Sequence, residues 1–213
     1  MSALVCTTSD YEDAPRTLRD PKEQERRRAL LSLPHMVPLT DYAVFLRKRG
    51  DVEVPEFDPL DGGVEAKILF LFEKPGPMTS SEGRRTGSGF ISRNNDDPTA
   101  AAIFKFMAQA GIPRQSTLIW NVVPWWNGTR KITADEVRDG LTAFSLLRQH
   151  LSKLSAVVMV GEKASRVQPY LENTGLLLFH SSHPSPIVRA RYRARWDAIA
   201  ADWAKVLDAI QRE

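Results

Sequence analysis

Cysteine is almost missing from this sequence: Cys6 stands alone among 213 residues. One thiol excludes an intrachain disulfide framework, and it excludes any iron-sulfur or all-cysteine zinc site built from this chain alone. A reducing cytoplasm is the compartment such usage points to. Long apolar runs are missing as well. No stretch approaches the roughly 20 residues a membrane span needs, and the polar stretch Met1 to Asp20 lacks the apolar centre of a signal peptide. Charge of one sign is not in large excess either: Lys plus Arg number 29 against 26 for Asp plus Glu, a net charge of +3, with a pI near 9.1. That balance permits a polyanionic partner without requiring one. What is plentiful is hydrophobic content, 42%, enough at this length for one sizeable core. The expectation is a cytoplasmic monomer with no membrane contact, a single domain over residues 1–213.

Within it, residues 1–20 carry Thr, Ser, Asp and Pro without periodicity and read as a flexible tail. Residues 21–65 read as an N-terminal helical and loop extension. Its charged run Lys22 to Leu33 suits a helix, with Arg26, Arg27 and Arg28 on a solvated face. Thr40 is placed to cap a short helix carrying Tyr42, Phe45 and Leu46, and Val52 to Gly63 reads as loop.

Four apolar runs follow: Ile68 to Phe72, Leu118 to Val123, Ala156 to Val160 and Leu176 to Phe179. Each has the density of a strand buried on both faces, which in a chain of alternating strands and helices means a parallel sheet. The helices between them are signalled by Asp97 before Pro98, by the capping box Thr133 and Glu136, and by Gly161. A last helix sets Trp196, Ile199, Trp203 and Val206 on one face. The predicted fold is therefore a three-layer α/β/α domain with a central four-stranded parallel sheet. In such sheets ligands bind at the carboxyl ends of the strands.

Those ends carry unusual residues. Glu73-Lys74-Pro75-Gly76-Pro77 follows the first strand, with a glycine and prolines that let backbone approach a ligand. Asn121 sits in the apolar run of the second strand. A buried amide must find partners, and its paired donor and acceptor suit an imide edge. After the fourth comes His180-Ser181-Ser182-His183-Pro184-Ser185-Pro186, where two prolines hold His183 and Ser185 with little freedom. Downstream of the first loop, Arg84 to Arg93 is polar and glycine-rich around Phe90, which suits either a satellite core or a stacking platform for a base. Ile187 and Val188 precede Arg189, Arg191, Arg193 and Arg195, a pattern open to a basic helix start or to an apolar wedge flanked by phosphate-binding arginines.

Glu73 to Gly76, glycine-flanked Phe90, Asn121 to Val123, and His183 to Ser185 with Arg189 together resemble the uracil-DNA glycosylase superfamily, nearest its Gly-Glu-x-Pro-Gly branch. The resemblance spans roughly residues 66–207. It implies an enzyme that flips uracil out of DNA and hydrolyses its N-glycosidic bond to leave an abasic site. By position, His183 donates to O2 of the departing base; with Lys74 in the motif, Glu73 or the backbone carbonyls of the loop are left to position the water. Asn121 pairs with the N3 and O4 edge, Phe90 stacks on the ring, and Lys74, Pro75 and Gly76 complete the base site. Ser185, Pro186, Ile187, Arg189 and Arg191 meet the DNA, Ile187 filling the vacated gap. The expected partner is DNA carrying uracil or an abasic site, with no metal and no soluble cofactor.

The sequence also departs from the pattern. That branch has four cysteines for an iron-sulfur cluster, and this chain has one. Phe72 stands where the motif begins with glycine, and Lys74 where the best-known relatives have Asp or Asn to orient water. Protonated lysine cannot play that part; neutralising a phosphate comes first for it, and attacking the sugar as an amine second. Two rivals remain at this stage: a noncatalytic binder of uracil or abasic DNA, and a Ser-His hydrolase using Ser181 or Ser182 with His183.

Overall fold

The computed structural model describes residues 13–50, 52–76, 79 and 87–212. Eight α-helices and six strands are found among them: α1 (Pro21–Leu30), α2 (Val37–Arg47), β1 (Glu56–Phe57), β2 (Ile68–Phe72), β3 (Phe90–Ile91), α3 (Pro98–Gln109), β4 (Thr117–Asn121), α4 (Ala134–Arg148), β5 (Ala156–Val160), α5 (Glu162–Ser165), α6 (Gln168–Leu171), β6 (Leu177–Ser181), α7 (Pro186–Arg191) and α8 (Arg193–Ile210).

The central sheet is four-stranded and parallel, in the order β4-β2-β5-β6. β2, β4 and β5 are buried at every position, as their unbroken apolar runs require. β6 lies at the edge and is only partly covered. Each fully buried Leu, Ile or Phe in such strands contributes roughly 1.5–3 kcal/mol over an exposed one. Alternation along the strands sorts the side chains onto two faces. Phe70 meets Trp203 of α8 at 4.8 Å, and Phe106 of α3 meets Trp196 at 5.0 Å. On the other face Trp120 stacks on Phe57 at 3.7 Å, and the Tyr42 hydroxyl of α2 donates to the Ala143 carbonyl of α4 at 3.0 Å. Helices α3 and α8 thus cover one face, α2 and α4 the other. Gly140 lets α4 come close: a Cβ there would lie 2.0 Å from the Val122 carbonyl oxygen.

Register decides what meets at the carboxyl edge. Phe72 pairs with Asn121, and Val160 with Ser181. The Val122 and Val123 amides donate to the Phe72 and Glu73 carbonyls at 2.7 and 2.9 Å, which carries the pairing into the loops. Both helix signals bordering this edge are realised. Asp97 accepts from the amides of Thr99 and Ala100, and Thr133 with Glu136 forms the complete capping box.

The N-terminal part differs from the sequence reading in four ways. The expected tail is corrected for residues 13–20: Leu18 is buried and its amide donates to the Asn94 carbonyl at 3.1 Å; residues 1–12 lie outside the described residues. Arg27 does not lie on a solvated face. It is 0% exposed and pairs with Glu23 and Asp58, and Asp58 also meets Arg114 at 2.6 Å. Burial opposes ionisation of Asp58, but Arg114 and Arg27 hold its carboxyl below the usual range. Helix α2 starts at Val37 with Pro38 in its first turn, so Thr40 is internal and donates instead to the Leu31 carbonyl. The stretch Val52 to Gly63 also contains β1, which pairs in parallel with β3. Among the described residues no helix is long and apolar enough to cross a membrane.

Candidate active site

At the carboxyl edge, on the face covered by α3, a cavity of about 480 Å3 opens, within the range of small-ligand sites. Its walls come from every loop the sequence singled out there. Glu73, Lys74, Pro75 and Gly76 follow β2, Asn121 ends β4, and His183, Ser185, Pro186 and Ile187 follow β6. Residues as far apart in the chain as Glu73 and Ile187 therefore share one hollow.

His183 is held from two sides. Its ring meets Phe72 edge to face at 5.6 Å, and its Cβ packs on Gly161, which has φ +92° and no side chain to interfere. Burial pushes its pKa below the usual histidine value, while the charges of Glu73 and Asp97 pull partly the other way. Burial thus favours the neutral form of the imidazole. None of the hydrogen bonds among the described residues uses its ring nitrogens, so an N–H is free for a ligand.

Asn121 has a buried Nδ2 with no hydrogen-bond partner. A donor left unpaired in a protein interior costs about 1–3 kcal/mol, and Asn121 is one of the residues that line the cavity. Two other polar groups nearby are engaged. Asn95 donates to the Phe90 carbonyl at 2.9 Å and accepts from Ser88 at 2.6 Å. Ser185 accepts from the Val188 amide at 3.3 Å, capping α7.

Lys74 is placed otherwise than the sequence suggested. Its side chain is 2% exposed, and its ammonium donates to Asn127 Oδ1 at 2.8 Å, to the Lys131 carbonyl at 3.1 Å and to Glu136 Oε1 at 2.7 Å. Three donors meet three acceptors, so neither a phosphate nor a sugar carbon has a claim on it. Burial would raise the Glu136 pKa, yet the Lys74 hydrogen bond and charge, with the Thr133 amide, bring it below the usual value. Lys74 pins the β4–α4 loop to the start of α4.

Phe90 is not brought to the cavity. It is 0% exposed and borders a separate depression, with the Arg28 guanidinium 6.0 Å from its ring. Neighbouring residues of β3 point to opposite sides, and it is Ile91 that lines the cavity. Ser181 donates to the Ser182 carbonyl and accepts from Trp203 Nε1 at 2.8 Å, and among the described residues no hydrogen bond joins Ser181 or Ser182 to the His183 ring, so the Ser-His pair of a hydrolase is not formed. His180 belongs to β6, its ring held by Ser165 and Gln168. Pro77, Arg84, Arg85 and Thr86 lie outside the described residues.

Two lining groups escaped the sequence reading. Asp97 was legible as a helix cap, yet its carboxyl also borders the cavity, and burial raises its pKa against the amides of Ala100 and Thr99. Arg130 lines the cavity from a loop with no local signal. Ile187 stands at the rim, 65% exposed. Arg189 reaches over Trp196 at 5.8 Å, and Arg191 is exposed. Among the described residues no cluster of His, Cys, Asp and Glu suits a metal ion.

Comparison with known proteins adds a family. The model described as the uracil DNA glycosylase superfamily matches residues 59–207. Among curated proteins none matches the sequence significantly. Among solved structures, a Methanosarcina acetivorans chain assigned as a uracil DNA glycosylase is 18% identical, with 65% of this chain and 91% of that one covered and a TM-score of 0.44. The mimivirus uracil-DNA glycosylase is 17% identical, over 84% of this chain and 79% of that one, with a TM-score of 0.43. The wild-type UNG from Nitratifractor salsuginis is 12% identical, over 90% and 98% respectively, with a TM-score of 0.41.

Proposed function

Since the chain belongs to the uracil DNA glycosylase superfamily, we propose that it excises uracil from DNA by hydrolysing the N-glycosidic bond. The observation that carries this reading is the buried, unpartnered Nδ2 of Asn121 beside the same cavity as the imidazole of His183. Uracil presents carbonyl acceptors where those two donors wait. Cytosine offers an amino group in place of O4, which would set donor against donor at Asn121.

In the reaction the bond from C1′ to the base breaks and its electron pair leaves with the base. Negative charge gathers on O2, where an N–H of His183 donates to it; removing such a donor typically costs about 10²–10³ in rate. Water forms the new bond to C1′, and its proton passes to a carboxylate or to solvent while the released base takes one up. Glu73 is the group we assign to the water, because it lines the cavity and the neighbouring Lys74 is fully engaged. Exposed Ile187 fills the gap left by the flipped nucleotide, and Arg189 and Arg191 meet phosphates.

A second reading has one observation behind it. Lys74 occupies the position where relatives orient water and brings no free group there, which favours a binder of uracil or abasic DNA without turnover. One assay separates the two: an oligonucleotide with a single uracil, scored for alkali-cleavable abasic product in single and double strands. Product supports the glycosylase. Salt-sensitive binding without product in either form supports the binder instead.

A further inference from the structure

A larger depression, about 1130 Å3, opens on the other face of the sheet between α4 and the pair α5 and α6. Its floor is apolar, with Val122, Leu141 and Phe144, and Tyr170 stands at its margin, 66% exposed. Its rim is cationic. Arg130, Lys131, Arg138, Arg148, Lys163 and Arg166 border it, and Glu73 is the one acid among the described lining residues. Arg138 pairs with Asp135 and Lys163 with Glu73, and Arg148 donates to the Thr174 carbonyl. Arg130, Lys131 and Arg166 form no side-chain ion pair with any described residue. Glu73 and Arg130 line this groove and the base cavity alike, so the two openings meet at the carboxyl edge of the sheet.

Surplus cations around an apolar floor, with an exposed aromatic ring at the margin, match the needs of a single-stranded nucleic acid: phosphates meet the rim and unpaired bases find faces to lie on. A duplex keeps its base faces covered and would leave Tyr170 and the floor unmatched. A small anion would use the rim alone.

We propose that this groove holds the single-stranded continuation of the DNA strand whose uracil occupies the cavity, the strand crossing the sheet edge at Arg130 and laying bases toward Tyr170. The identity of that strand rests on the glycosylase reading; the groove's affinity for single strands does not.

The test uses the full chain and labelled, uracil-free oligothymidylates of about four and about sixteen nucleotides, the range of site sizes known for single-strand-binding folds. Arg166 and Tyr170 lie at the surface and outside the base cavity, so Arg166→Glu with Tyr170→Ala leaves the fold intact. The wild type binds the longer oligonucleotide more tightly, and the double variant binds it about tenfold or more weakly. Its salt slope also shrinks by about 0.7 for each phosphate no longer neutralised. Arg212→Glu, a charge reversal of the same size away from the groove, leaves binding unchanged. Equal affinity of wild type and double variant, an equal loss in Arg212→Glu, or no binding by the wild type would each overturn the proposal. Groove-dependent binding by a protein that releases no uracil would retain the groove and remove the glycosylase reading.

Discussion

The imidazole of His183 rests on the bare Cα of Gly161: a Cβ placed there would lie 3.3 Å from His183 Cβ and 3.4 Å from its Cδ2. Gly161 also adopts φ +92° and ψ 161°, a conformation essentially reserved for glycine. The first turn after β5 thus sets the position of a ring that follows β6. Gly161→Ala is expected to cost about 1–3 kcal/mol of stability from the backbone alone. Because the added methyl also displaces the ring, base release should fall even at temperatures where the variant is fully folded. Denaturant unfolding and single-turnover release measured on the same sample check both parts.

For His183 itself the expected loss in His183→Ala is about 10²–10³ in single-turnover rate. Its titration gives a second readout. Burial holds the folded pKa below the usual histidine value, so the unfolded chain binds the proton more readily. The stabilising contribution is complete above the unfolded value of about 6.5 and is lost as pH falls from there through the folded value. Denaturation midpoints of wild type and His183→Asn across that acid window should converge as pH drops. Parallel curves would contradict it.

Asn121→Ala separates reading a ligand from holding the fold. Since Nδ2 has no protein partner, removing the amide takes away an unpaired polar group, and stability should stay level or rise. Uracil release should nevertheless fall by about tenfold or more, as expected when one buried donor to substrate is lost. A variant that is destabilised and otherwise active would show that the amide serves the core.

Lys74 is predicted to be structural. With its ammonium shared among Asn127, Lys131 and Glu136, Lys74→Met should cost about 1–3 kcal/mol for the missing charged hydrogen bonds, seen as a lower denaturation midpoint. Borohydride added during turnover should trap no covalent adduct between Lys74 and DNA, because its amine is held by three acceptors. A trapped adduct that disappears in Lys74→Met would reverse this assignment.

Ile187 is 65% exposed at the cavity rim, so Ile187→Ala should change stability by no more than about 0.5 kcal/mol. Its effect should appear in duplex substrates, where a flipped base leaves a gap to fill, and be smaller in single strands. Release rates on matched single- and double-stranded oligonucleotides provide the comparison.

The sequence alone determined the sheet and most of its helices, because the signals involved are local. Ile68–Phe72 and Ala156–Val160 announce doubly buried strands by uninterrupted apolar residues. Asp97 and the Thr133–Glu136 box announce helix starts through bonds made within one turn. The presence of His183 and Asn121 at strand ends was legible for the same reason. Tertiary structure alone decided which faces these residues share and which charges are spoken for. Phe90 and Ile91 are equally apolar neighbours, and only the pairing of β3 with β1 turns Ile91 to the cavity and Phe90 away. Lys74 and Arg27 look solvated in sequence, because Asn127 and Glu136 stand 53 and 62 positions from the first, and Asp58 and Asn94 stand 31 and 67 from the second. Burial and ion pairing depend on what is brought close in space, and strand order and register, not spacing along the chain, set that distance.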